Sequence, residues 1–355
     1  MSNTEKEVKR TSIGGQALIE GVMMRGPKKT SMAVRHTSGE IVMDSWDNPD
    51  THKSFVWRTP FVRGIFMFVD SLISGYKALM KSVDMSGIGE EEEEEKRKRE
   101  EKQEAKRKAK LIKKYGEDYV EPEKTEEELA AEQAEKERKQ KASDAIFYSV
   151  LTVVSTVLGL ALGLFLFIWL PIFLYNTLKA AVPFFDKPIL QSVFEGILRI
   201  TIFILYIAST ALMKDIRRVY MYHGSEHKTI FCYEHGKELT VENVRKESRF
   251  HPRCGTSFMI LMLLIGIFFS MIIPTNINSF LRAGIKLLML PFVMGIGYEA
   301  IKLAGRRDNM FTRIISAPGM WVQHITTKEP TDDMIECAIA AFKDVIPENA
   351  DEDKW

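Results

Sequence analysis

The sequence predicts a mainly α-helical multi-pass membrane protein, of about four transmembrane helices, with a small N-terminal β-containing cytoplasmic domain. Three observations predict it: four long apolar runs beyond residue 144, short strand-like segments near the start, and basic residues gathered on one side of the runs.

The apolar runs cover residues 145–174, 189–213, 256–273 and 281–304. Each reaches or approaches the ~20 apolar residues that cross ~30 Å of hydrocarbon as a helix. The last two are joined by a few residues at 274–278 and read as a helical hairpin. Gly159 and Gly163 make a small-xxx-small step in the first run, compatible with close helix contact.

Orientation follows from lysine and arginine placement. The segment before the first span is rich in both, as is the connection at 214–253, with Lys214, Arg217, Arg218, Lys228, Arg245, Lys246, Arg249 and Arg253. Arg306, Arg307 and Arg313 follow the last span, whereas the short connections carry only Lys179, Lys187 and Arg282. Both termini and the 214–255 segment are therefore expected on the cytoplasmic side of a cell membrane.

Residues 1–57 are expected to form the small β-containing domain. Gln16–Glu20, Ser31–Arg35 and Glu40–Met43 have strand character, and Thr37-Ser38-Gly39 is a plausible hairpin turn. The glycine-dense stretch from Gly14 to Pro27 follows neither phosphate-loop nor dinucleotide spacing, so its glycines read as turns or bulges; Glu20 and Arg25 are weak binding candidates. Within 58–88, residues 61–83 read as a helix lying on or dipping into the membrane, because Arg63, Asp70 and Lys77 interrupt its apolar residues. Residues 89–143 form a Glu/Lys/Arg linker, disordered or a solvated helix. In the C-terminal region 306–355, Met334, Ile335, Ala338, Ile339, Phe342 and Val345 mark a short amphipathic helix.

Composition narrows the function. The 49 Lys and Arg nearly balance 48 Asp and Glu, so no global signature for binding nucleic acid appears and membrane lipids are the expected surroundings. Three cysteines give no disulfide framework and fit reduced thiols, free to bind metal. The start of the chain has no apolar h-region, so no cleaved signal peptide is expected.

The chemistry concentrates at Tyr222-His223-Gly224-Ser225-Glu226-His227-Lys228 and His251-Pro252-Arg253-Cys254. On a helix, His223 and His227 project from one face, the spacing that lets two imidazoles share a metal. The pattern H-x-x-E-H is also that of the inverzincins, where two zinc ligands flank a general base. Glu226 then suits a base or supporting role. A third ligand is open among His251, Cys254, Glu234 and Glu299, which span topology brings to one membrane depth. Glu234 shares the histidine face if the second span continues as a helix, and Cys232 falls on the other side. Imidazole and thiolate together suit a divalent metal, Zn²⁺ in particular. Glu195 and Arg199 read as a mutually neutralising pair within a span, and Lys286 and Lys302 as lysines that snorkel.

Residues Gly14 to Pro27, His223 to Lys228 and His251 to Phe258 resemble the YqhQ-like family, the domain of unknown function 1385. The likeness covers most of the chain apart from the charged block. It implies a bacterial membrane protein, described as a metal-dependent enzyme without a settled reaction. It also implies His223, Glu226, His227, His251 and Cys254 as functional positions.

Two functions follow as expectations. One is a metal-dependent hydrolase at the cytoplasmic interface, with a four-span architecture that argues against a soluble-type peptidase. The other is a non-enzymatic accessory or scaffold subunit of a membrane complex, such as protein export or membrane-protein biogenesis machinery. Transport is a weaker third, because no inverted repeat is visible.

Overall fold

The computed structural model describes residues 10–48, 59–89, 149–182, 188–274, 277–306 and 309–353, with a few single positions between 98 and 147. The expected charged linker falls almost wholly outside the described residues, as do residues 49–58, the end of the expected β-domain. Two units are present: residues 1–89 with 171–355, and residues 90–170.

In the first unit, four strands form an antiparallel meander in chain order: β1 (Gly14–Leu18), β2 (Gly21–Arg25), β3 (Lys29–Arg35) and β4 (Ile41–Asp47). The hairpin at Thr37-Ser38-Gly39 is present, with Gly39 at a positive φ of 90° that only glycine adopts freely. The stretch that reads as turns and bulges contains a full strand, β2, buried on both faces. Alternation of side chains across the pleat makes this possible. Val22 and Met24 face one way, into a core with Tyr222, Ile335, Ala338 and Phe342. Met23 faces the other way, with Leu18, Met32, Val34 and Ala78. Each such apolar side chain contributes about 1.5–3 kcal/mol on burial, so the sheet is held from both sides rather than standing alone.

The helices covering these faces are α1 (Val62–Ser86) and, at the far end of the chain, the expected amphipathic helix at Asp332–Val345. α1 presents Gly64, Gly75 and Ala78 inward and leaves Phe66, Val69, Leu72, Ile73, Tyr76 and Met80 exposed. Gly75 is needed for close approach, since a Cβ there would collide with the Gln16 amide.

Among the described residues, three helices are long and apolar enough to cross a membrane: α2 (Ser149–Ala181), α3 (Pro188–Thr210, apolar over Ile189–Thr210) and α7 (Ser279–Arg306, apolar over Ser279–Leu303). Between α3 and α7 come α4 (Lys214–Glu234), the short α5 (Val241–Arg245) and α6 (Gly255–Ser270). α6 is apolar but has only 16 residues, about 24 Å of helix. α8 (Met310–Thr326) opens on a capping box between Asn309 and Thr312 and packs across α6, where Gly319 lies directly on Ser257. The helix at Asp332–Val345 is α9.

Two expectations need correction. The second span, expected to reach residue 213, ends at Thr210 and does not continue as one helix: Met213 adopts an extended conformation and α4 begins afresh at Lys214, carrying His223, His227 and Glu234. Lys286 does not snorkel. It is drawn to the fully buried Glu195 carboxylate, which also receives Arg282 Nη1 at 2.7 Å and Arg199 at 3.4 Å. A buried carboxylate lacking solvent attracts whatever cations neighbouring helices bring within reach.

Candidate metal centre

α4 carries His223 and His227 one turn apart, with ring centroids separated by 4.4 Å. Cys254 comes from the loop after α5, at the N-cap of α6. One ligand atom from each of the three lies within 4.8 Å of the others. His223 Nε2 is 3.1 Å from Cys254 Sγ. The other ring nitrogens are held by backbone carbonyls: His223 Nδ1 by Thr326 at 2.9 Å, and His227 Nδ1 by Arg249 at 2.6 Å. A carbonyl only accepts, so each Nδ1 carries a proton and Nε2 is the nitrogen of each ring left to face a metal. His227 Nε2 is buried with no hydrogen-bond partner among the described residues.

The surrounding chain fixes these carbonyls. Gly224 permits close passage of the segment after α8, since a Cβ would strike the Lys328 carbonyl; Lys328 N–H donates to the Tyr220 carbonyl at 2.8 Å. This pairing sets Thr326 over His223. Lys228, itself buried, donates to the carbonyls of Arg245 at 3.0 Å and Glu247 at 2.9 Å, bracing the loop that offers the Arg249 carbonyl. Gln323 clamps the next stretch. Its side chain accepts from His251 N–H at 2.8 Å and donates to the His251 carbonyl at 2.7 Å and to Ser257 Oγ at 3.1 Å.

Glu226 is buried beside the trio, and its Oε2 has no hydrogen-bond partner among the described residues. The Gly15 N–H donates to its carboxylate. A Cβ on Gly15 would stand 2.8 Å from Glu226 Cγ. The first strand therefore forms one wall of the centre, and Gly15 clears the volume that Glu226 occupies.

Electrostatics couple the trio. Burial tends to hold the His223 imidazole neutral, but the adjacent Cys254 outweighs it and raises the His223 pKa to about 9. Burial disfavours the Cys254 thiolate too, yet His223 and His227 hold its pKa well below the usual thiol value. Burial pushes the Glu226 carboxyl up, against the pull of both histidines. A buried Cys254 thiolate beside a His223 imidazolium is thus the metal-free state of the centre.

Three sequence candidates lie apart from the trio. His251 packs 5.5 Å, ring to ring, from His227 but turns its Nε2 to Glu234, 3.7 Å away. Glu234 is engaged by Arg253 and by Thr11 N–H at 2.9 Å, so neither Glu234 nor His251 joins the trio. Burial lowers the His251 pKa to about 4, helped by Arg253 and opposed by Glu234. Glu299 is paired with Arg63 at the start of α1 and accepts from Phe61 N–H at 3.4 Å. The arginine that interrupts the apolar pattern of α1 thereby anchors that helix to α7. Cys232, as expected, points away and fills the core with Phe342 and Ile335.

Gly15, Lys228 and Gln323 are the supporting residues that sequence reasoning missed. For Gly15 a signal existed, the Gly14-Gly15 pair in a strand-like stretch, because glycine inside a strand marks close approach of other atoms. Two imidazole nitrogens and one thiolate, with one nitrogen buried and unpartnered among the described residues, are a donor set that could hold a divalent metal ion.

The family model described as "Protein of unknown function (DUF1385)" matches residues 59–348. The chain belongs to this family. It is 32% identical over 337 residues to "Uncharacterized protein YqhQ" of Bacillus subtilis (strain 168), a match covering 94% of this chain and 92% of that protein. No solved structure matches the chain. His223, Glu226, His227 and Cys254 lie within the stretch matched by the DUF1385 model, as does Gln323, while Gly15 precedes it.

Proposed function

We propose that this DUF1385 protein is a membrane-embedded, metal-dependent hydrolase whose centre holds one Zn²⁺ on His223, His227 and Cys254 at the cytoplasmic face. The observation that carries this reading is the unpartnered, buried His227 Nε2, beside Cys254 and His223, with both Nδ1 atoms committed to carbonyls. When bound, the ion supplies Lewis acidity and lowers the pKa of a water at its open position. Glu226 Oε2 takes up a proton from the water as general base and passes it to the leaving group; burial raises its pKa, which favours its holding that proton. His223 is the partly exposed member of the trio, so substrate approaches from its side.

In this reading α6 is the fourth span. Its 16 helical residues and the residues that follow cross by locally thinning the bilayer. Both termini are cytoplasmic, on the basic side of the spans. α1 lies along the interface, with its exposed apolar stripe against lipid.

Cobalt substitution tests the ligand set. Co²⁺-loaded wild type is expected to give thiolate-to-cobalt charge-transfer absorption and the visible bands of a tetrahedral ion. Cys254→Ser loses the first, and a wild type with neither feature excludes the centre. A screen of ester, peptide and phosphodiester substrates, with Glu226→Gln as the metal-retaining control, then tests hydrolysis.

A further inference from the structure

A second polar cluster lies about 24 Å along α6 from Cys254, the length of its 16 residues. Ser192 Oγ donates to the Ser270 carbonyl at 3.0 Å, which places this part of α3 beside the far end of α6. One turn further along α3 stands Glu195, fully buried, receiving Gln191 Nε2 at 2.9 Å. Arg282, in the first turn of α7, gives Nη1 to Glu195 Oε1 at 2.7 Å, and Lys286 pairs with Oε2. Even with Arg199 set aside, two cations share this carboxylate. Their side chains are only 1% exposed for Arg282 and 9% for Lys286.

Arg282 decides what the cluster is for. Its Nε and Nη2 are both buried without a hydrogen-bond partner among the described residues. These two N–H groups form one edge of the guanidinium, the planar fork that binds two oxygens of a single oxyanion. Glu195 uses only the Nη1 side, so the fork faces away from the carboxylate that neutralises it. Although Glu195 balances the charge, two buried N–H donors left unpaired carry a desolvation cost that an acceptor with two oxygens would remove.

We propose that Arg282, with Lys286 beside it, is a binding site for a phosphate-type oxyanion on the side of the membrane opposite the metal centre. Arg282 lies within a turn of the start of α7, and Glu195 about 10 Å from the start of α3. At that depth the phosphate is a lipid phosphodiester reaching inward or a free phosphate.

The full chain in maltoside micelles, free of added phospholipid, tests this. Its thermal midpoint is followed against inorganic phosphate, with sodium chloride at equal ionic strength, and separately against phosphatidylglycerol, with diacylglycerol of the same chains. The site raises the midpoint with at least one phosphate probe and with neither control, the rise growing with the logarithm of probe concentration. A response to phosphate assigns a soluble oxyanion; a response to phosphatidylglycerol alone assigns the headgroup. Arg282→Gln abolishes the shift while Glu195 keeps Lys286 and Arg199. If that variant does not fold, Arg282→Lys retains the charge but not the fork, and its affinity falls at least tenfold. No shift in either wild-type arm, or the same shift in the variant that folds, overturns the proposal.

Discussion

His223 Nε2 stands 3.1 Å from Cys254 Sγ, although 31 positions separate them in the chain. The segment between folds back over α4, so a helix-borne imidazole meets a thiolate from the start of α6. The pair is linked to His227 through ring contact and to Glu226 through charge. Removing any of these partners has a distinguishable consequence.

Metal binding is expected to release a proton from His223. Without metal its pKa is near 9, so it is protonated at neutral pH, and an ion at Nε2 must displace that proton. Affinity therefore rises with pH up to about 9 and levels off above it. Titration calorimetry in buffers of different ionisation enthalpy reads the protons released. A pH-independent affinity between pH 6 and 8 contradicts the assignment of His223.

Acid is expected to destabilise the fold through His251. Its folded pKa, about 4, lies below the ordinary histidine value of 6.5. Its contribution is thus fully present above 6.5 and is lost as pH falls toward 4, because the unfolded chain takes up the proton first. The depressed Glu234 pKa, with burial opposing and His251 and Arg253 prevailing, acts in the same sense at lower pH. The full His251 effect is about 3 kcal/mol. His251→Gln should flatten the pH dependence of the thermal midpoint between 6.5 and 4; an unchanged slope contradicts it.

Much of this centre was legible in the sequence because it is local. The spacing of His223 and His227 is a property of one helix, and Glu226 is fixed between them by the same 3.6-residue repeat. Cys254 was legible as a ligand type but not as the third member, because choosing it over His251, Glu234 and Glu299 requires knowing how a loop packs. Arg253 captures Glu234, and Arg63 captures Glu299; neither pairing leaves a periodic trace. In the fold, the hairpin at Gly39 and the apolar runs could be read from alternation and length. β2 could not, since burial on both faces erases the alternation that identifies a half-buried strand. The break at Met213 coincides with the end of the apolar run at 189–213, and what the pattern did not show is that a separate helix starts directly after it.

Gly15→Ala tests the part played by the first strand. The added methyl meets Glu226 Cγ and the Met23 carbonyl, both at 2.8 Å, and neither can yield freely. A loss of about 1–3 kcal/mol in stability is expected, with metal content retained because Glu226 is not a ligand. A variant as stable as wild type would show that Glu226 does not fill this space.

Gln323→Leu should loosen the Cys254 loop. It removes the bonds to both backbone groups of His251 and leaves them buried, a loss of about 1–3 kcal/mol. Metal affinity is expected to fall together with stability. Stability loss with unaltered affinity would mean that Gln323 does not position Cys254.

Glu299→Gln separates the centre from the α1 anchor. It weakens the pairing with Arg63 and lowers stability, yet leaves metal content equal to wild type. Loss of metal in this variant would return Glu299 to the ligand set.

The most direct measurement is elemental analysis of the purified full-length protein beside His223→Ala, His227→Ala and Cys254→Ala. The account predicts about one zinc per chain in the wild type, from three protein ligands around a single ion, and strong depletion in each folded variant. A wild type without stoichiometric metal, or variants that keep it, would contradict the account at its centre.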